Sequence, residues 1–162
     1  MREQRRVQPA PGQESVWDYP RPPACVPSDK RVVITARDGT PIADSRAAFR
    51  VLETSHPPTW YLPPDSFVPG VLTRSDARST WCEWKGAATY WDVLGRSAIA
   101  WSYETPTAGF EAIAGFVTCY PARLICTVNG EPVRPQDGGF YGGWITDDVV
   151  GPFKGGPGTL GW

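Results

Sequence analysis

The sequence predicts a mostly β fold, in which antiparallel hairpins and a meander form a compact barrel- or sandwich-like domain with one short helix. Segments rich in β-branched and aromatic residues alternate with strong hairpin turns, of which Asp38-Gly39 and Asn129-Gly130 are the clearest. Residues 80–103 are largely apolar on both alternating faces, as expected for strands covered on both sides or rolled toward a barrel. With 162 residues, 41% of them hydrophobic, the chain can bury one core.

The two ends of the chain are predicted to lie outside this domain. Residues 1–30 carry six of the 18 prolines and no periodic apolar pattern, so we expect a disordered or extended tail that is dispensable for folding. A single β domain is then predicted over residues 31–156. Residues 157–162 are expected to form a short C-terminal tail.

The first strands are predicted around the Asp38-Gly39 turn. Residues 31–37 and 40–44 form a hairpin, and Pro41 places the second strand at a sheet edge because proline cannot donate a ladder hydrogen bond. Residues 45–53 fit either a capped helix or a strand. The two prolines that follow His56 favour the strand, since a residue before proline avoids helical geometry.

Residues 80–103 predict a three-stranded meander with two tight turns. If both turns have two residues, one face carries Trp81, Glu83, Ala88, Tyr90, Asp92, Ile99, Trp101 and Tyr103. The other face carries Cys82, Trp84, Ala87, Thr89, Trp91, Val93, Ala98 and Ala100. Trp84 or Trp91 is therefore expected in the core.

The C-terminal half adds the predicted helix and further strands. Residues 106–115 fit a short helix that Gly115 could end. Strands are predicted for residues 116–120 and 123–128. Residues 138–161 hold nine of the 17 glycines, and we expect their aromatic part to lie over the domain as an ordered arm.

Composition excludes several classes of partner. A net charge of -1 provides no field for nucleic acid, and the sequence has no apolar run suited to a signal peptide or membrane span, so we expect a cytoplasmic protein. Four scattered cysteines, with no Cys-x-x-Cys pair, predict reduced thiols and no metal site. Cys119 and Cys126 could face each other or lie diagonally, depending on the loop between them.

The candidate site is centred on the only histidine, His56, which Pro57 and Pro58 hold at a strand end. Glu53 could orient this imidazole or act as a general base. On a regular strand the two side chains would leave opposite faces, so a shared pocket requires a bend at Thr54-Ser55. The alternative is a histidine that only hydrogen-bonds at a turn.

Several motifs, in order along the chain, resemble those of one family. They are Glu53-Thr-Ser-His-Pro-Pro-Thr-Trp-Tyr61, Cys82-Glu-Trp-Lys-Gly86, Ala100-Trp-Ser-Tyr103, Phe110-Glu-Ala-Ile-Ala-Gly115 and Gly138-Gly-Phe-Tyr-Gly-Gly-Trp144. Over residues 31–156 the sequence resembles the DUF427 family. The resemblance implies a compact, mostly β domain in which the Glu53/His56 and Cys82/Lys85 motifs are recurring polar residues. The family's nucleotidyltransferase-like label implies no chemistry by itself, because a fold does not determine a reaction.

Two functions from different classes remain open. In the first, Glu53, His56 and Lys85 are catalytic or binding residues of a small-molecule pocket, and Cys82 is either a thiol participant or a small core residue. Its aromatic wall for a flat ligand would comprise Tyr61, Tyr90, Trp101 and Tyr103. In the second, the protein is a non-catalytic ligand-binding or protein-interaction module whose polar motifs mainly fix turns. Convergence of these side chains on one cavity would distinguish the first from the second.

Overall fold

The computed structural model describes residues 6–138 and 141–162, and this part of the chain is mostly β. The strands, in chain order, are β1 (Glu14–Ser15), β2 (Ala24–Ser28), β3 (Val32–Thr35), β4 (Pro41–Ser45), β5 (Ala48–Leu52), β6 (Thr59–Tyr61), β7 (Leu72–Arg74), β8 (Trp81–Cys82), β9 (Gly86–Ala87), β10 (Thr89–Val93), β11 (Arg96–Ser102), β12 (Val117–Cys119), β13 (Ile125–Val128), β14 (Glu131–Pro132), β15 (Arg134–Pro135), β16 (Trp144–Ile145) and β17 (Val149–Val150). The helical elements of the described residues are 3₁₀ turns at Val16–Asp18, Pro64–Ser66 and Glu111–Ile113.

Three antiparallel sheets of three or four strands form most of the architecture of the described residues, and the strand pairs β1–β17, β8–β9 and β15–β16 form three further two-stranded sheets. Two of the larger sheets have four strands, in the orders β12-β11-β10-β7 and β14-β13-β3-β4, and the third has the order β2-β5-β6. The predicted hairpin β3–β4 is present, and β4 lies at an edge as Pro41 indicated. The mostly β prediction is confirmed in its sandwich-like form, since the sheets of the described residues do not close into a barrel.

The predicted meander is present with two differences. A two-residue turn at Leu94-Gly95 joins β10 to β11, and both turn residues have positive φ, as a type I′ hairpin requires. However, β7 rather than β8 pairs along β10, and β8 pairs only with β9. A bulge with Ala98 at φ 53° also moves Ile99 to the opposite cluster from Trp101, contrary to simple alternation.

The main core lies between the two four-stranded sheets and contains the fully buried Trp60 and Trp144. The Trp144 indole N–H donates to the Cys119 carbonyl at 3.1 Å. The prediction that Trp84 or Trp91 is core is wrong in degree, because both are only partly buried and pack against the core clusters. The Trp91 indole N–H donates to the Ser102 hydroxyl at 2.9 Å.

The N-terminal segment corrects the expected domain start near residue 31. All five residues of β2 pair with β5, and β1 pairs with β17. Val16 is completely buried, so isolated apolar residues anchor this segment without a periodic pattern. The C-terminal tail is also packed, because Trp162 contacts Trp17 with ring centroids 5.2 Å apart. Residues 1–5 of the predicted tail lie outside the described residues.

The predicted helix at residues 106–115 is reduced to the single 3₁₀ turn Glu111–Ile113. Gly109 has φ 96°, which breaks any helix at that point. Gly115, at φ 74°, ends the segment as expected. Among the described residues we find no helix long and apolar enough to cross a membrane.

Cys119 and Cys126 are buried thiols that form no disulfide, and their sulfurs lie 3.6 Å apart, within hydrogen-bonding distance. The expected pairing of their strands is absent: β12 and β13 belong to different four-stranded sheets, and the intervening residues cross between them. The thiols therefore face each other across the core.

Candidate functional site

His56 lies in the loop that joins the paired strands β5 and β6. Ser55 has φ 71°, a left-handed conformation that turns the chain sharply between Glu53 and His56. The His56 amide donates to the Glu53 carbonyl at 3.0 Å, and His56 Nε2 lies 3.1 Å from Glu53 Oε2. This is the bend that a shared pocket requires, and it brings both side chains to one side of the loop.

Both ends of the chain hold this bend in place. The Ser55 amide donates to the Val16 carbonyl at 3.1 Å, and the Thr54 hydroxyl donates to the Tyr19 carbonyl. From the other end, the Lys154 amide donates to the Ser55 carbonyl at 2.8 Å. The conformation at Ser55 is therefore fixed by long-range hydrogen bonds and not by local sequence alone.

Glu53 lies among positive charges. Burial acts to raise its pKa, but the hydrogen bond from His56 and the charges of His56, Arg21 and Lys85 outweigh that effect, so the Glu53 pKa is lowered. Arg21 contributes directly, with Nη2 at 3.3 Å from Glu53 Oε2. Glu53 is thus an ionised carboxylate at neutral pH, suited to accept a hydrogen bond from His56 Nε2 and to orient the imidazole.

Lys85 enters the same region from the turn between β8 and β9. Its ammonium lies over two aromatic rings, 5.3 Å from the Tyr103 centroid and 5.9 Å from the Tyr61 centroid. Among the described residues it forms no salt bridge or hydrogen bond through its ammonium. The β8–β9 turn is held to the loop that precedes the 3₁₀ turn Glu111–Ile113, because the Thr107 amide donates to the Lys85 carbonyl at 3.2 Å.

One cavity of about 350 Å³ joins these groups. All four polar residues singled out from the sequence line it, namely Glu53, His56, Cys82 and Lys85. The four residues of the expected aromatic wall line it as well, namely Tyr61, Tyr90, Trp101 and Tyr103. The structure therefore brings together side chains from three separate stretches of the sequence.

Two tyrosines of the wall, Tyr61 and Tyr103, keep their protons. Burial raises the pKa of Tyr61 and that of Tyr103 well above the usual range. The Tyr61 hydroxyl is buried without a hydrogen bond of good geometry, although the Trp101 indole interacts with it weakly. Both hydroxyls are therefore donors at neutral pH.

Cys82 has features of both roles expected for it. It lines the cavity, and it also packs, partly buried, against the apolar cluster that contains Tyr61 and Trp101. Among residues 6–138 and 141–162, no group of three or more histidine, cysteine, aspartate or glutamate side chains is placed to hold a metal ion.

Residues 24–130 match the family model described as "Domain of unknown function (DUF427)", which covers well over half of the chain. The chain belongs to the DUF427 family. Comparison with curated proteins gives no match. The DUF427 match includes every candidate site residue named from the sequence, from Glu53 to Tyr103.

A second part of the cavity wall lies beyond the DUF427 match and was not found by sequence reasoning. Gln136, Tyr141 and Lys154 line the cavity from the glycine-rich end of the chain. The Gln136 side chain links two parts of this C-terminal segment. Its amide N–H donates to the Lys154 carbonyl, and its oxygen accepts from the Gly143 amide at 3.1 Å. The Lys154 ammonium lies 5.6 Å from the Tyr141 ring centroid and donates to the Trp162 carbonyl at 3.2 Å.

Two adjacent glycines allow the backbone of this segment to lie close against the cavity wall. A side chain at Gly142 would overlap the Trp101 ring, and one at Gly143 would overlap Pro57 and Gln136. The glycine-rich sequence was the available signal for this part of the wall, because it indicated that the backbone approaches another surface closely. It did not indicate which surface. Gly139 and Phe140 of the same motif lie outside the described residues.

Proposed function

We propose that this DUF427 protein binds a small, flat organic molecule in the 350 Å³ cavity, with Glu53 and His56 as a proton-transfer pair beside it. The observation that carries the proposal is the convergence of Glu53, His56, Lys85 and an aromatic wall on one opening. The volume is within the usual range for small-molecule sites. An interaction module whose polar motifs only fix turns gives no reason for this convergence.

The chemistry follows from the contact between the two polar side chains. His56 Nε2 lies 3.1 Å from the Glu53 carboxylate, which can align the imidazole. Burial acts to raise the Glu53 pKa, but the hydrogen bond from His56 and the charges of His56, Arg21 and Lys85 outweigh it and keep the carboxylate ionised. The pair is therefore suited to accept a proton from a bound molecule or return one, and Cys82 is a thiol that could take part.

A ligand screen with the intact chain tests this function. We expect a compound among nucleotides, sugar phosphates, acyl or thiol metabolites and planar aromatic compounds to raise the melting temperature, because a ligand that binds only the folded state stabilises it by mass action. For such a compound, His56→Ala should abolish binding while changing the free energy of unfolding by less than about 1 kcal/mol. Isothermal titration and urea unfolding measure the two quantities.

Two further variants make the result interpretable. Glu53→Gln keeps the shape of the side chain and should weaken binding, whereas Arg74→Ala, an exposed change on β7 outside the cavity, should not. Equal affinities for wild type, His56→Ala and Glu53→Gln would refute the proposed site. If His56→Ala does not fold, the Glu53→Gln result decides.

A further inference from the structure

The cavity contains hydrogen-bond donors that have no acceptor. Tyr61 is completely buried, yet its hydroxyl makes no hydrogen bond of good geometry within the described residues. Ser55 and Thr118 also have buried hydroxyls without a partner among the described residues, but of these three residues only Tyr61 lines the cavity, where a bound molecule could supply the acceptor. Tyr103, whose ring lies 6.4 Å from that of Tyr61, also donates no hydrogen bond to the described residues.

Lys85 provides the positive charge for such a group. Its ammonium lies over the rings of both tyrosines, and no carboxylate of the described residues pairs with it. The other charged groups of the cavity have different surroundings. Glu53 pairs with His56 and Arg21, Lys154 donates to the Trp162 carbonyl, and Glu83 is exposed.

Building on the proposed function, we propose that the ligand carries one carboxylate, which is held by the Lys85 ammonium and the Tyr61 hydroxyl while its planar body lies along the aromatic wall. A carboxylate has two oxygens and can accept from both donors at once. The ionised Glu53 lines the same cavity and favours a single negative charge on the ligand, because it would repel a phosphate dianion more strongly than a monoanion.

Matched pairs of planar compounds test the carboxylate directly. The probes are benzoate with benzamide, 2-naphthoate with 2-naphthamide, and indole-3-carboxylate with its amide, with 2-naphthyl phosphate as the dianion. By isothermal titration at neutral pH, we expect at least one acid to bind about tenfold to a hundredfold more tightly than its amide, the range for a charge-assisted hydrogen bond. The phosphate should bind less tightly than the acid of the same ring.

Two variants assign the effect to its residues. Lys85→Gln and Tyr61→Phe should each reduce the acid-to-amide ratio at least severalfold while leaving the amide affinity unchanged. Tyr61→Phe removes an unsatisfied hydroxyl, so the ligand-free protein should be as stable as wild type or more stable. A hydroxyl that served only the fold would instead lower stability on removal and leave the ratio unchanged.

Each other outcome contradicts a specific part of the proposal. An acid and an amide of equal affinity would overturn the carboxylate but leave the binding cavity. Tighter binding of the phosphate would overturn the single charge. If no member of any pair binds, and the wider screen also yields no ligand, the proposed function fails together with this inference.

Discussion

Ser55 is the residue on which the geometry of the candidate site depends. It is completely buried, has φ 71°, and its hydroxyl makes no hydrogen bond among the described groups. A left-handed conformation is uncommon for a residue other than glycine, and such strain persists only where the surroundings impose it. Here the hydrogen bonds to Val16 and Lys154 impose it.

A matched pair of substitutions tests this residue. Ser55→Gly should retain both stability and ligand binding, because glycine adopts positive φ readily. Ser55→Val should lower the free energy of unfolding by about 1–3 kcal/mol and weaken binding, since a β-branched residue resists that conformation and would separate Glu53 from His56. Urea unfolding and titration of a bound probe measure the two effects. Equal stability of the two variants would show that the bend carries no strain.

Glu53 gives the site a pH dependence of defined sign. Its pKa in the folded protein is below the usual value of 4.5, so the ionised carboxylate stabilises the fold above that value and this contribution is lost as the pH falls below it. We expect the stability difference between wild type and Glu53→Gln to shrink on acidification below about pH 4.5. Urea unfolding at several pH values measures it, with the exposed change Asp65→Asn as a control. A difference that grows on acidification would contradict the assignment.

At the scale of elements, the N-terminal segment determines whether the site can form. Residues 14–28 contribute two strands, and the backbone carbonyls of Val16 and Tyr19 accept hydrogen bonds from the Glu53–His56 loop. This segment therefore serves the loop as well as the core.

Val16 of this segment and Val7, which precedes it, provide a test with matched chemistry. Val16→Ala should lower the free energy of unfolding by about 2 kcal/mol, because Val16 is fully buried, and it should also weaken ligand binding. Val7→Ala, at a side chain that is 50% exposed, should change neither. The measurements are thermal unfolding and isothermal titration. If Val16→Ala is as stable as Val7→Ala, the segment is a tail after all.

The elements that sequence reasoning predicted correctly are those specified by local signals. The Asp38-Gly39 turn and the Leu94-Gly95 turn each join neighbouring strands, so the turn residues and alternation suffice. The elements missed depend on distant partners. Neither the pairing of β7 with β10 nor that of β2 with β5 leaves a periodic signal in its own segment. The helix at 106–115 failed because Gly109 adopts positive φ.

At the scale of the whole molecule, the candidate site is assembled from both halves of the chain around one apolar cluster. Sequence reasoning selected eight candidate residues between Glu53 and Tyr103 by their chemistry, and all eight line the cavity. It did not identify Gln136 or Lys154, because their role depends on where the glycine-rich segment crosses the domain. Residue type could be recognised locally, whereas position required the complete fold.

The cavity wall near Tyr120 continues into a second opening of about 220 Å³, which shares Tyr120, Gln136 and Tyr141 with the first. The residues between β12 and β13 line this second opening, so the passage from one four-stranded sheet to the other also shapes the surroundings of the candidate site.

Cys119 and Cys126 stand at the two ends of that passage, with their sulfurs 3.6 Å apart across the core. Because each thiol belongs to a different sheet, the distance between the two sulfurs depends on how the sheets pack against each other. Both thiols are buried, so reagents in solution cannot reach them while the two sheets stay in contact. Their modification would therefore report that the two halves of the sandwich had separated.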